Sequence, residues 1–486
     1  MNCFHKHQDL YDTLVQHLPS SSVIFQHHPD YKTVSSSWNL RTPYKPYVFV
    51  QPANTKEVQA AIKCARQCNV TQVAIRSGGH SFEGASLGGR GGHALVIDLV
   101  KMNGVTVDSE SGIATAEGGA LLGKIYLEAW NTGKYALSAG SCVGVGVAGQ
   151  ASCGGYGHYT RTHGILSDRV LEFEVVTADG NVLIANNEQN EDLYWALRGA
   201  GTGSFGIITK LKIKLHQAPD TIINFTLDYQ LGWINFKHVF KAFQDYCLSA
   251  STKVNPMMVI QFGNFTLVGS ILADSKEEGD ALVEDMLKRL PPPTNKVIQK
   301  VSYIESVVGL SLTQTSAPWW DDLRPLKREG EEKRRWMKIK SGYIPEALPD
   351  EFISKLGKLA NRQCATGLRV QLLCLGGAES ETPVDSTAVS RRGCAYLMGM
   401  SVWIMDDEED PVNGAIEEAN YRLPWLNQTF EAFYPYMDGC YIGDDDADVQ
   451  NLYYNFFGKH FPKLQSIKRK YDPENIFNHR LSIPPQ

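Results

Sequence analysis

The 486-residue chain contains no run of eighteen apolar residues, so the sequence offers no helix long enough to cross a bilayer. It also lacks a basic surplus. Forty-seven Lys and Arg against 53 Asp and Glu leave a net charge of −6, and with it no electrostatic footprint for nucleic acid or an anionic membrane. None of the ten cysteines falls in a C-x-x-C pair, which removes the usual zinc spacing, and no metal site is expected. No G-x-x-x-x-G-K-[ST] loop is present, so nothing points to nucleotide hydrolysis. The opening MNCFHKHQDLYDTL has no apolar core of the signal-peptide kind, which taken alone favours the cytoplasm.

What remains is a globular composition, 43% hydrophobic and 21% charged, over a length that calls for two domains. Periodicity predicts a helix over 8–18 and a strand over 48–51. A helix capped by Thr55 follows, with Val58, Ala61 and Ile62 on its apolar face. Strands are expected at 94–98 and 113–116, a helix at 120–131, and a hairpin from 171–177 and 182–185. A helix at 192–197 leads into the alternating strand FGIITKLKIKL. From about residue 220 the pattern changes to long strands (257–272, 368–374, 395–404) and amphipathic helices, among them 275–290 with Ser275 and Glu278 at capping-box spacing. The loops 291–295 and 376–387 read as exposed.

Two glycine-rich stretches stand out: RSGGHS at 76–81 and GSCVGVGVAGQASCGGYG at 140–157. Residues without Cβ let successive backbone N–H groups turn towards an anionic ligand, so two such loops could hold a diphosphate and bring His80 and Cys142 to one cofactor. G-x-G-x-x-G occurs at 201–206 and at 144–149, but neither copy sits between a strand and a helix with an acidic residue about 20 positions on. Dinucleotide binding of the Rossmann kind is therefore rejected.

With AEGGALLG (116–123), DLYWALRGAGTGSFGIIT (192–209) and KYDPENIF (470–477) followed by SIPP, these loops appear in an order that resembles the berberine bridge enzyme-like flavoenzymes, part of the vanillyl-alcohol oxidase/p-cresol methylhydroxylase (PCMH) superfamily. The resemblance covers nearly the whole chain. It implies an α+β class, two-domain fold. An N-terminal helix and connection (1–39) would precede a PCMH-type FAD-binding domain (40–217). An antiparallel-sheet substrate domain covered by helices (218–438) would follow, then a return segment (439–486). It implies FAD held bicovalently, His80 on the 8α-methyl carbon and Cys142 on C6, with Cys153 as the rival thiol. Arg76, Ser77, Gly78, Gly79, Ser81 and Gly84 would line the cofactor from the first loop. Val145, Gly146, Gly149, Gly154, Gly155 and Gly157 would line it from the second, with Ile207 and Ile208 touching the adenine or flavin side. A valine at 145 is the residue that tends to mark oxidases in this family.

Removing hydride from a CH–OH carbon needs a base for the hydroxyl proton. Where carbohydrate oxidases of the family carry Y-x-N-Y, this chain reads Tyr441-Ile442-Gly443-Asp444. Asp444 is therefore the candidate base, its pKa raised by desolvation, against the alternative that residues 444–446 form a solvated turn. Tyr441, Tyr156 and His158 are further candidates beside the ring. In the substrate pocket Gln371 is kept, but Leu373 stands where the family has aspartate and Phe82 replaces a tyrosine. The expected activity is an oxidase of an alcohol or sugar hemiacetal, reduced O2 leaving as hydrogen peroxide. Oxidative cyclisation or desaturation of a specialised metabolite is the alternative, and a flavin-bearing ligand-binding protein without turnover is a third.

The resemblance also implies a disulfide between Cys3 and Cys64. Together with the sequons at Asn69, Asn224, Asn264 and Asn427 it favours a secreted glycoprotein over a cytoplasmic protein. Expected partners are a small-molecule substrate and O2, with no nucleic acid or membrane, in a monomer or weak dimer.

Overall fold

Short β-branched runs bounded by loops build the first half of the chain. The computed structural model describes residues 3–89, 91–201, 203–230, 235–261, 263–310, 335–360, 368–405 and 413–486. Val48–Val50, Leu95–Asp98 and Val73–Arg76 run parallel, with Val23–Phe25 antiparallel at one edge. Their apolar side chains join Leu10 and Leu14 of the helix Cys3–His17 and Val58, Ala61 and Ile62 of the helix Thr55–Gln67 in one core. Beside this sheet lies a five-stranded antiparallel one, in the order Val105–Asp108, Ile113–Glu117, Ile207–Lys214, Val170–Val176, Val182–Ala185.

After the short ladder of His216–Gln217 with Tyr135–Ala136, the chain enters a seven-stranded antiparallel sheet. Its order is Asn295–Val301, Thr221–Gln230, Asn264–Ala273, Val254–Gln261, Leu368–Cys374, Tyr396–Met405, Arg335–Ile344. Register decides which side chains meet. Leu373 lies opposite Met257 on one side and Leu397 on the other, and Leu397 lies opposite Tyr343. The period of two then gives one face Met258, Val370, Leu372, Met398 and Phe265. Against Phe265 packs the helix Phe236–Ser249, through Phe240 and Phe243. The other face carries Ser341, Tyr343, Leu397, Gln371, Leu373, Met257 and Val259, and Tyr343, Leu373 and Leu397 pack there against Tyr156 and Ile165 of the first half.

The tail returns to the first half through a buried ion pair. Lys468 and Asp472 are both shielded from water. The Lys468 ammonium also donates to the carbonyls of Ser204 and Phe477 (2.7 Å each), and Asp472 accepts from the N–H groups of Ile476 and Phe477. The Val73 N–H donates to the Ile476 carbonyl at 2.8 Å, which fixes KYDPENIF against the strand feeding RSGGHS.

Several expectations shift. The strand expected at 257–272 is two strands, Val254–Gln261 and Asn264–Ala273, joined at Gly263, whose φ of 77° suits glycine. Asn54, not Thr55, caps its helix, accepting from the Glu57 N–H; the Thr55 hydroxyl instead donates to Glu174. The 376–387 loop is not wholly exposed, since Glu379 and Thr387 are buried. The expected Cys3–Cys64 bridge falls on Cys3, whose side chain lies outside the described residues. Cys64 is a buried free thiol, pushed up to about 11 by burial, and it donates to the Thr13 carbonyl. Asn224 is unsuited to glycosylation, its amide being tied to Ser306 within the sheet, whereas Asn69, Asn264 and Asn427 are exposed.

Candidate active site

The two glycine loops touch through their backbones. A Cβ on Gly78 would stand 2.2 Å from the Gly146 nitrogen, and one on Gly146 would stand 2.2 Å from Ser77 Oγ. Glycine is required there because the chains approach too closely for any side chain. Ser77 ties in the third motif, donating to the Gly118 carbonyl at 2.6 Å. AEGGALLG then runs along residues 143–147, with Leu122 N–H to Val145 O, Gly123 N–H to Val143 O and Val147 N–H to Ala120 O at 2.8–2.9 Å. The second loop is held at its start by Tyr126, whose hydroxyl donates to the Gly140 carbonyl at 2.6 Å, and by the Gln150 side chain, which accepts from the Gly140 N–H.

This junction puts His80 beside the Cys142 loop: its Nε2 lies 3.1 Å from where a Gly144 Cβ would be. Both His80 and Cys142 are half-buried. The His80 ring faces Trp38, centroids 4.7 Å apart and planes 30° from parallel, and loss of hydration pushes its pKa down to about 4. At neutral pH it is therefore an uncharged imidazole.

The third wall comes from the tail. The Asp445 carboxylate accepts from Ser81 Oγ at 2.6 Å and from the N–H groups of Phe82 (2.7 Å) and Glu83 (3.4 Å), so it clamps the loop that carries His80. Burial raises it to about 6, with the Ser81 hydrogen bond pulling the other way. Next to it Asp446 takes Lys338 and Lys340 in a buried ion network that reaches Glu83 and Arg41. Glu83, Asp446 and Asp448 come close enough together to suggest a cation, but the Lys338 ammonium contacts all three and supplies that charge itself.

Among the described residues Asp444 has no such partner. Burial lifts its carboxyl to about 7; the Ser341 hydroxyl nearby pulls it down and the Asp445 charge adds to the lift. Beside it stands a buried aromatic and aliphatic cluster. Tyr441 meets Tyr156 edge-on (5.1 Å, 87°) and Tyr343 (6.5 Å, 76°), and the Gly155 N–H donates to the Tyr441 hydroxyl at 3.2 Å. Leu373, Leu397, Val389 and Cys153 complete the walls. The Tyr156 hydroxyl reaches Glu379 Oε1 at 3.4 Å, and burial raises both groups. The Cys153 thiol, close to both Asp444 and Asp445, is raised first by burial and then by their charge.

Of the residues expected to serve the site, the structure brings together His80, Cys142, Val145, Tyr156, Tyr441, Asp444, Gln371 and Leu373 with the glycines of both loops. Phe82 packs edge-on against Trp38 at 5.5 Å. Three expectations need correction. The Arg76 guanidinium is buried and spent on Asp98 Oδ2 and the Val34 carbonyl, both 2.7 Å, so it braces the sheet rather than a cofactor. Ile207 is fully enclosed in the first-half core, while Ile208 turns its carbonyl to Gly118 of the third motif rather than to either glycine loop. His158 faces away from Tyr441: its Nε2 lies 3.2 Å from the Leu310 carbonyl and its ring lines a separate cavity on the sheet. Trp38, Ser341, Tyr343, Asp445 and Glu379 were not singled out from sequence, for none sits in a motif.

Residues 46–186 match the family described as FAD binding domain, and residues 440–484 match berberine and berberine like. The chain is 30% identical to the FAD-linked oxidoreductase YvdP of Bacillus subtilis over 466 residues, 95% of this chain and 98% of that one. The chain belongs to the berberine bridge enzyme-like family. It is an FAD-linked oxidoreductase of the PCMH superfamily. It is also 39% identical to the xylooligosaccharide oxidase of Thermothelomyces thermophilus over 230 residues, 47% of this chain and 45% of the other. Its fold matches BBE-like 1 of Physcomitrella patens with a TM-score of 0.87 and 28% identity, over 98% and 99% of the two chains. The residues present fit FAD. Backbone-lined loops meet where a Cβ cannot stand, and a neutral imidazole sits beside the cysteine-bearing loop at their edge.

Proposed function

We propose that this chain is an oxidase of a CH–OH group, alcohol or sugar hemiacetal, with Asp444 as the base. The observation that carries this reading is a half-buried carboxyl lifted by burial to about 7, with no counter-cation among the described residues, beside the Tyr156–Tyr343–Tyr441 cluster and one residue from the clamp on the His80 loop. His80 and Cys142 are the two tethers in this reading, the first as a neutral nucleophile. FAD held by these residues would supply the hydride acceptor and, with O2 as the final oxidant, hydrogen peroxide as second product. The residues do the rest. Asp444 takes the hydroxyl proton as the substrate C–H is lost, so the alcohol leaves as a carbonyl. Tyr156, Tyr343 and Tyr441 enclose the reacting carbon and exclude bulk water, which strengthens the interaction with Asp444. Asp445 holds the attachment loop at a fixed distance. The similarity to a xylooligosaccharide oxidase supports a sugar substrate.

A second reading, oxidative cyclisation or desaturation of an apolar metabolite, is favoured by Leu373, Leu375, Leu397 and Val389, an aliphatic wall where a sugar would seek hydrogen bonds. Anaerobic titration with sugars and small alcohols, followed by the visible flavin bands, separates the two. Bleaching by a sugar supports the first. A yellow protein that no sugar or alcohol bleaches, but a hydrophobic phenol or alkaloid does, overturns it.

A further inference from the structure

The Asp445 clamp stops at the backbone of the His80 loop. It engages the Ser81 hydroxyl and the N–H groups of Phe82 and Glu83, and none of these contacts orients the imidazole. Among the described residues neither ring nitrogen of His80 has a hydrogen-bond partner, and burial alone lowers its pKa. A histidine that must present one nitrogen is usually fixed by a hydrogen bond to the other. Here an aromatic face takes that place: Trp38 lies along the imidazole at 4.7 Å and 30°. Trp38 is itself held. Phe82 meets it edge-on at 5.5 Å and 67°. Its neighbour Asn39 is fully buried and uses every donor and acceptor of its amide. It donates to the carbonyls of Phe82 (3.1 Å) and Met337 (2.8 Å), and accepts from the N–H groups of Met337 (3.0 Å) and Arg41 (3.1 Å). The indole is thereby tied to the His80 loop and to the strand Arg335–Ile344 at once. At the ring's edge Nε2 faces Gly144, where a side chain would press on it.

We propose that Trp38 is a positioning residue for flavin attachment, its indole face holding the His80 imidazole in the orientation from which it bonds the 8α-methyl carbon. The proposal rests on His80 being a tether, as assigned above, and adds what aims it. In that step a C–N bond forms, while one methyl C–H and the imidazole N–H are lost as protons. The electron pair left behind reduces the flavin, which takes up two protons. O2 then accepts two electrons and two protons and leaves as hydrogen peroxide. The imidazole turns about two bonds, and a ring free to turn meets the methyl carbon in few of its orientations. A hydrogen bond would also stop the turning, but it would occupy the lone pair that attacks or the N–H that must be released. A stacked face restrains the ring and occupies neither nitrogen.

The test is the site of flavin on the purified holoprotein, read by digestion and mass measurement of the peptides that carry His80 and Cys142. Trp38→Phe, which keeps an aromatic face, is expected to retain most of the wild-type His80 linkage. Trp38→Leu should lower it about tenfold, with the flavin then held through Cys142 alone. Should Trp38→Leu fail to accumulate, Trp38→Met fills the space without an aromatic face and is read in the same way. Wild-type occupancy of His80 in the Leu or Met variant overturns the proposal. So does loss of flavin from both tethers alike, the mark of a purely structural tryptophan, and so does a Phe variant as poorly linked as the Leu one. A wild-type protein with no flavin on His80 fails differently: it overturns the tether itself, and the proposal with it. A linked wild type beside a Trp38→Leu variant linked only through Cys142 keeps the tether and supports the positioning role.

Discussion

Replacing Asp444 by Asn removes the one carboxyl in the pocket that is near half-ionised at neutral pH, and it should move catalysis and stability in opposite directions. In the unfolded chain this group releases its proton near 4, whereas in the fold it holds it to about 7. Between those values the native state binds the extra proton. Wild-type stability therefore falls as pH rises through that window and has lost its full share above about 7. Three pH units correspond to about 4 kcal/mol. Partial access to water reduces this to about 2 kcal/mol, the amount Asn should recover at pH 8 and not at pH 4. The same change removes the proton acceptor and should slow anaerobic flavin reduction by about 10²–10⁴-fold. Stopped-flow reduction from pH 5 to 9 should show the wild-type rate rising through about pH 7 and the variant's flat. Paired melting curves at pH 4 and 8 test the stability half. A variant that reduces its flavin within twofold of wild type, or a wild-type rate independent of pH, refutes Asp444 as the base.

On a denaturing gel the wild-type band should fluoresce with covalent flavin; His80→Ala and Cys142→Ala should each retain one linkage, and the double variant none. Asp445→Ala strips the acceptor from Ser81, Phe82 and Glu83, which should cost about 3 kcal/mol in chemical denaturation and lower the flavin content. Gly78→Ala puts a Cβ against the Gly146 nitrogen, and should either fail to accumulate or lose about 3 kcal/mol together with its cofactor. Val145→Leu should leave flavin reduction unchanged and slow reoxidation by O2, read as the return of the flavin bands after mixing with aerated buffer.

What the sequence discloses is what a single residue type enforces locally. RSGGHS and the run from Cys142 are legible because glycine is needed wherever two backbones close to contact, and Gly78 against Gly146 is such a place. The helix at Lys276–Arg289 is legible because Ser275 accepts from the Glu278 N–H within one turn. Arg76 shows the limit. An arginine opening a glycine loop reads as an anion ligand, yet its partner, Asp98, is the residue opposite it on the neighbouring parallel strand, a pairing visible only once the register is known. His158 fails for a related reason. Two residues past Tyr156, it would share a face in a regular strand, but the left-handed Gly154 and Gly155 and the turn at Gly157–Thr160 break that period. Glu379 is hidden in a polar string that reads as solvent-facing. Its burial is made by Tyr156 and by the Gly393 N–H, residues remote or across a loop from it.

The three consecutive aspartates of the tail show the same point within one tripeptide. In sequence they are equivalent, and their bland reading is a solvated acidic turn. In the fold each carboxylate meets a different environment. Asp446 is matched by two lysine ammoniums and so can stay buried as an ion. Asp445 is met by a hydroxyl and backbone N–H groups, which fix its geometry and make it a clamp. Among the described residues Asp444 meets neither cation nor backbone donor, and desolvation, with a smaller push from the Asp445 charge, leaves it a proton acceptor near neutrality. Exchanging environments would exchange roles, so the functional assignment attaches to the strand Arg335–Ile344 and the His80 loop as much as to the aspartates. It follows that Lys340→Met, which takes one cation from Asp446, should disturb flavin content less than Asp445→Ala does. It should also leave the pH dependence of reduction in place, because Asp444 draws its pKa from burial and not from that network.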